Sequence, residues 1–374
     1  MSSGRGLDRA GSLHGGPCRR SVGPCARGRR GSAAMTDHKH LKHRVRERMA
    51  RTGESYTTAL RHVAGRARRH HHESALLRDV LGGAFSEAML LGLGGGIGFM
   101  YFVFEYAGHP PMLTIVAQAH PEPMIPLALA RAGVPHEIRR TGSARLAERH
   151  LRAALDAGRS PIVRVGRHLL PWRDALPFPD PVDVVVTGLS GGTAHVRDDG
   201  PGELPLAGLM AAWSSIPKSK HLLVEVTGPA DGEPDVRAAI TDTAAKLTGP
   251  VLGNNFDVNF GLSGMRKLAA QLADTTGKQG WTRRFADPGP ALERLAECLE
   301  VDYTAPGATR PLYADFLAET GHAGAAALYR ECGRQWSRVA AAASAREPLA
   351  EMAALVAQAV LLEERAAGAL AKIY

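Results

Sequence analysis

Three consecutive histidines, His70, His71 and His72, run into Glu73, and they are the residues here whose types could do chemistry. An imidazole titrates near neutral pH and can act as a general base. At a helix N-terminus, the positive end of the helix dipole would oppose imidazolium at His72 and favour a neutral base or a metal ligand. No metal site is expected. Adjacent helical residues diverge by about 100°, and neither His-Glu-x-x-His nor Cys-x-x-Cys occurs in the chain. Ser74, two positions on and rotated by about 200°, reads as a structural hydroxyl of the first turn.

Glycines 92, 94, 95, 96 and 98 follow within seven residues. Such a run permits either a tightly packed chain reversal or close approach of backbone to a ligand, so Gly94, Gly95 and Gly96 are candidate binding positions. No Gly-Lys-Ser/Thr follows, which excludes a Walker A loop. The run also lacks the strand before it and the downstream acid of a dinucleotide fingerprint. No cofactor is expected.

Apolar spacing predicts helices over 123–132 and 144–157, the second capped by Thr141 or Ser143 and stopped at Gly158. Before them, Ala75, Leu76, Val80 and Leu81 form one helical face that ends at Gly82-Gly83. β-Branched runs at 161–165 and 182–187 read as buried strands, and a further strand around 194–197 leads to Asp198. Residues 218–226 complete this α+β unit, 227–233 is a linker rich in Gly, Pro and Asp, and long helices fill the remainder. In the last of them Leu349, Met352, Leu355, Val356, Val360 and Leu361 keep an apolar face. The loop from Gly253 to Gly264 reads as a connection, with contact to the cleft as the alternative.

The chain has 374 residues and is 44% hydrophobic, enough for about two domains. Its charge is uneven. Residues 1–72 hold 17 Lys plus Arg against 4 Asp plus Glu, whereas the remainder holds 29 against 33. Residues 1–36 form a Gly-, Arg- and Ser-rich leader that cannot bury a core; it reads as an over-extended gene start with Met35 as the true one. Residues 37–70 form a basic helical extension, for which nucleic acid is a conceivable but disfavoured partner. No run of eighteen apolar residues occurs, so no membrane partner is expected. Cys18, Cys25, Cys298 and Cys332 lack zinc or redox spacing, and the expected compartment is the reducing cytoplasm.

The segment His71-His72-Glu73-Ser74, the Ser86-Glu87-Ala88 and glycine stretch, Arg167 to Trp172, and Val184-Val185-Val186-Thr187-Gly188 with Asp198 resemble the butirosin biosynthesis protein H family. That resemblance implies a papain-like α+β domain at 71–212, an acyltransferase that moves an acyl group from a carrier-protein thioester to an amine. Segments from Gly261 to Leu268, Tyr313 to Leu317, and Trp336 onward resemble the uncharacterised helical domain often fused behind it, here 213–374. By the same resemblance His72 stands in the place of the nucleophilic Cys, and Asp183 or its neighbours Pro181 and Val182 in that of the base His. Asp198 keeps the orienting acid's place, with Asp199 beside it, and Trp172 that of a cleft aromatic. His71 and Glu73 flank the entrance.

Two functions follow as expectations. The first is a degenerate relative that has lost the Cys and His and binds an acyl carrier protein, an acyl thioester, a small amine or a peptide. The second is an active amide-forming acyltransferase with an altered site at His72, Asp183 and Asp198. A nucleic-acid-binding regulator is a third, lesser reading.

Overall fold

The computed structural model describes residues 70–374 apart from 106–107, 109, 119 and 174–179. The leader and almost all of the basic helical extension lie outside the described residues. The described residues group as one compact unit.

The chain enters at α1 (His72–Val80) and α2 (Glu87–Leu93), then forms the hairpin β1 (Ile97–Phe104) and β2 (Met112–Gln118). Next come α3 (Met124–Arg131), β3 (His136–Arg139), α4 (Ala144–Asp156) and β4 (Ile162–Gly166). They are followed by β5 (Pro181–Ser190), β6 (Thr193–Arg197), β7 (Pro201–Pro205), α5 (Leu206–Ser214) and β8 (Leu223–Val226). Helices alone follow: α6 (Val236–Thr248), α7 (Gly261–Ala273), α8 (Trp281–Arg284), α9 (Gly289–Glu300), α10 (Arg310–Glu319), α11 (Ala323–Ser344) and α12 (Leu349–Leu370).

Strands 3 to 8 make one antiparallel sheet in the order β3-β8-β4-β5-β6-β7. Both faces are covered at β4, β8 and the first half of β5, which is why 182–187 reads as an unbroken β-branched run rather than an alternation. Val184 and Val186 pack with Leu151, Leu209 and Trp213 of α4 and α5, whereas Val185, Ile162 and Val224 join the larger helical core. The chain is thus α+β with a sheet-bearing part followed by a mainly helical one.

The local rules for α1 and α4 explain how the cleft is framed. Ser143 caps α4 by accepting from Leu146 N, and Gly158 leaves it at φ +73°. The His71 side chain accepts from Ser74 N to cap α1, and Gly82 and Gly83 end it in the left-handed region. The buried face of α1 is Ser74, Leu76 and Leu77 rather than the expected set, because Ala75, Val80 and Leu81 are only half-buried. In α12, Leu361 is 62% exposed and falls outside the apolar face that Met352, Val356 and Val360 share.

The sequence division at 212/213 is not a division of the core. Leu90 and Leu91 of α2 and Ile115 of β2 share one apolar cluster with Tyr313, Trp336 and Val356 of the helical part. Arg310 adds a polar tie. Its guanidinium, fully buried, donates to Glu363 Oε1 at 2.7 Å and to the Ala117 carbonyl of β2 at 2.9 Å. No helix among the described residues is long and apolar enough to cross a membrane.

Candidate functional site

A small cavity of ≈ 50 Å³ opens where α1 begins, between the start of β5 and the loop after α9. His72, Glu73, Gln118, Arg167, Arg173, Asp180, Asp183, Asp302 and Tyr303 contribute to its wall. The structure therefore brings His72 and Asp183 together, with Asp198 directly behind His72.

Each ring nitrogen of His72 faces an oxygen acceptor. Nε2 lies 2.8 Å from the Asp183 carbonyl and 3.4 Å from Asp198 Oδ1, and Nδ1 lies 3.1 Å from Asp199 Oδ1. The Asp183 carbonyl can only accept, so Nε2 is the donor there, and the ring is engaged at both nitrogens by groups of the cleft.

Asp198 is committed elsewhere too. Arg173 binds both of its oxygens, and Trp172 Nε1 donates to Oδ2 at 2.9 Å. Burial would raise this carboxyl, but the Arg173 hydrogen bonds and the His72 charge outweigh it and hold Asp198 below the usual carboxylate range. His72, Asp198 and Asp199 each present one ligand atom within 4.8 Å of the others. A cation there would have to displace the Arg173 guanidinium from Asp198, so the donor set does not fit a metal.

Arg164 organises the opposite wall. It reaches Asp183 at 2.9 and 2.5 Å and Glu73 Oε1 at 3.0 Å, while Gln118 Nε2 donates to Glu73 Oε2 at 3.0 Å. Burial, then the charge of Asp183, push the Glu73 carboxyl up to about 8 against the pull of Arg164. Burial raises Asp183 as well, but Arg164 overcomes that, so Asp183 lies below its usual value and accepts the Glu73 proton in a hydrogen bond. Near neutral pH the wall thus holds one guanidinium, one carboxylate and one carboxylic acid.

The unfolded chain releases the Glu73 proton near 4.5, the folded chain near 8. Between those values the folded state carries the extra proton, and stability falls as pH rises. We expect this fall, roughly 1–3 kcal/mol, to vanish in Glu73→Gln. Urea unfolding from pH 4.5 to 8 checks it, and an unchanged slope contradicts it.

The remaining candidates lie off the cleft. His71 is buried as the cap of α1, its ring bonded to Gln118 and 3.1 Å from Ser74 Oγ. Trp172 braces Asp198 and packs its ring over Gly202. The glycine run is a packing device, not a cradle. A Cβ at Gly94 would stand 2.6 Å from Met124, and one at Gly96 2.6 Å from Tyr313, while the Gly95 carbonyl accepts from buried Thr243. The segment from Gly253 to Gly264 forms a short turn over Asn255–Asn259, capped by Asn254 and Asp257, then enters α7, and it does not line the cavity.

Sequence reasoning missed Gln118, Arg164, Arg173, Asp180, Asp302 and Tyr303. Arg164 left a signal, a lone cation within an apolar strand. Tyr303 left none. It sits at φ +55°, a conformation that costs a bulky residue about 1–2 kcal/mol, and its phenol bonds to Asp180. Arg167 bridges Asp180 and Asp302 at 3.4 Å each, so the helical part closes one side of the cleft.

Residues 71–199 match the family model described as Butirosin biosynthesis protein H, N-terminal. Residues 206–370 match a domain of unknown function, DUF4872. No curated protein matches the chain.

Proposed function

From a chain that carries the butirosin biosynthesis protein H N-terminal domain followed by DUF4872, and is thereby an acyltransferase-like relative of secondary metabolism, we propose a receptor that binds an acyl thioester, free or on a carrier protein, without transferring the acyl group. The observation that carries this reading is the engagement of both His72 nitrogens by oxygen acceptors. Covalent acyl transfer needs a nucleophile with a base beside it. The residue at the first position of α1 carries no thiol or hydroxyl and has both ring nitrogens engaged, and Asp183 is tied to Arg164. Cys298 and Cys332 are both fully buried, in α9 and α11, and burial raises the Cys298 thiol to about 11 and the Cys332 thiol further still, away from the reactive thiolate.

The cavity's size and mixed charge suit a small polar group, such as the amide head of a pantetheine arm, rather than a whole amine acceptor. A small amine or a peptide is the next candidate. Titration calorimetry with a short-chain acyl-pantetheine thioester tests the reading. Saturable heat is expected, and it should weaken at least tenfold in Arg167→Ala, a loss of about 1.4 kcal/mol. Equal affinity in the variant would remove the cleft from the binding site.

A further inference from the structure

The hairpin β5–β6 and its neighbour β7 carry a second hydrogen-bonded series, away from the cleft. Ser190 Oγ lies 2.6 Å from His195 Nε2, and His195 Nδ1 lies 3.2 Å from Glu203 Oε1. The sheet's register produces this arrangement. His195 stands opposite both Gly188 and Glu203, and Ser190, paired with Thr193, is its diagonal neighbour. Ala194 and Val196 point into the apolar cluster, so period-two alternation puts Thr193, His195 and Arg197 on the other face. There the His195 side chain is 37% exposed and Ser190 is exposed.

The turn between the strands adds a third part. Gly191 and Gly192 have φ values of +55° and +82°, the left-handed pair that a two-residue hairpin turn takes. The Gly191 amide directly follows the serine and lies beyond the last ladder pair, Ser190–Thr193. A backbone N–H next to a nucleophile is the usual donor for an oxyanion.

We propose that Ser190, His195 and Glu203 form a separate acyl-accepting site for small activated esters. Ser190 Oγ forms a bond to the ester carbonyl carbon while its proton passes to His195 Nε2. The carbonyl oxygen takes up the electron pair beside the Gly191 N–H, and Glu203 holds the Nδ1–H of the charged ring. Collapse breaks the bond to the leaving alkoxide, which departs with the Nε2 proton. Water then attacks the acyl-serine and gives one proton to His195 Nε2; collapse breaks the acyl carbon–Oγ bond, Ser190 Oγ takes that proton back, and the acyl group leaves as the carboxylic acid. Ser190 and His195 touch the reacting atoms; Glu203 is a positioning residue.

Another serine–histidine pair on the same chain supplies the comparison. Ser214 Oγ lies 2.9 Å from His221 Nε2, but His221 Nδ1 faces the Thr141 carbonyl rather than a carboxylate.

The test treats the full chain with a fluorophosphonate probe and maps the modified residue by tandem mass spectrometry, alongside release of nitrophenol from p-nitrophenyl acetate. Modification at Ser190 is expected, lost in Ser190→Ala and His195→Gln and unchanged in Ser214→Ala. Nitrophenol release should drop by about 10²-fold in His195→Gln. Glu203→Ala should lower it and Glu203→Asp restore part, which a merely structural carboxylate would not do. These are surface positions, and circular dichroism checks that each variant is folded. Absence of label at Ser190 in the folded protein, or equal labelling in His195→Gln, would overturn the proposal.

Discussion

Arg164→Met is expected to lower stability by about 3–5 kcal/mol at pH 8, the usual result of removing one partner from a buried charge group. The substitution keeps an unbranched apolar stem and removes the guanidinium that reaches both Asp183 and Glu73. Two buried carboxyls then face one another, and one of them must protonate or the wall must open. The loss should therefore shrink as pH falls and the second carboxyl takes up a proton. Asp183→Asn should cost less than Arg164→Met, because Glu73 can ionise and take over Arg164. Urea unfolding of both variants at pH 6 and pH 8 separates these outcomes, and equal losses at both pH values would contradict the shared-proton account. The same arrangement bears on installing a Cys-His pair through His72→Cys with Asp183→His. That change sets a second cation against Arg164, so recovery of acyl transfer is not expected from it.

The second large effect is expected at Arg310, whose side chain is fully buried with Glu363. Glu363 Oε1 also accepts from Trp336 Nε1 at 2.8 Å, and Arg310 donates to the carbonyls of Ala117 and Ala308. Arg310→Met leaves the Glu363 carboxyl and two carbonyls without this donor in an apolar core, at a cost of about 3–5 kcal/mol. Arg310→Met with Glu363→Gln should recover a substantial part, since the stranded charge goes with the second change. The effect reaches the cleft, because Ala117 precedes Gln118, the residue that bonds both His71 and Glu73. Thermal unfolding of the single and double variants measures the coupling, and simple additivity would contradict it.

Much of the scaffold was legible from short-range rules. The helix over 123–132 is observed as Met124–Arg131, and the strands at 161–165 and 182–187 as Ile162–Gly166 and Pro181–Ser190. Caps, glycine stops and β-branched runs act within a few residues, so sequence spacing carries them. The cleft was legible only along its known line of residues. His72, Asp183 and Asp198 meet, but what they do is set by partners distant in sequence: Arg164 and Arg173 for the carboxylates, Asp199 and a backbone carbonyl for the imidazole. The groups that engage the His72 ring, Asp183, Asp198 and Asp199, stand more than a hundred residues away. The glycine run misleads for a related reason. Close approach is real at Gly92, Gly94 and Gly96, yet the approaching groups are Phe316, Met124 and Tyr313 rather than a ligand.

Intact-mass analysis of an acylated carrier protein, incubated with the full chain and a panel of small amines, tests the central claim most directly. The account predicts that no amide forms and that the acylated carrier co-elutes with the protein at low salt. Amide product formed by the unmodified chain, and lost in His72→Ala, would contradict it.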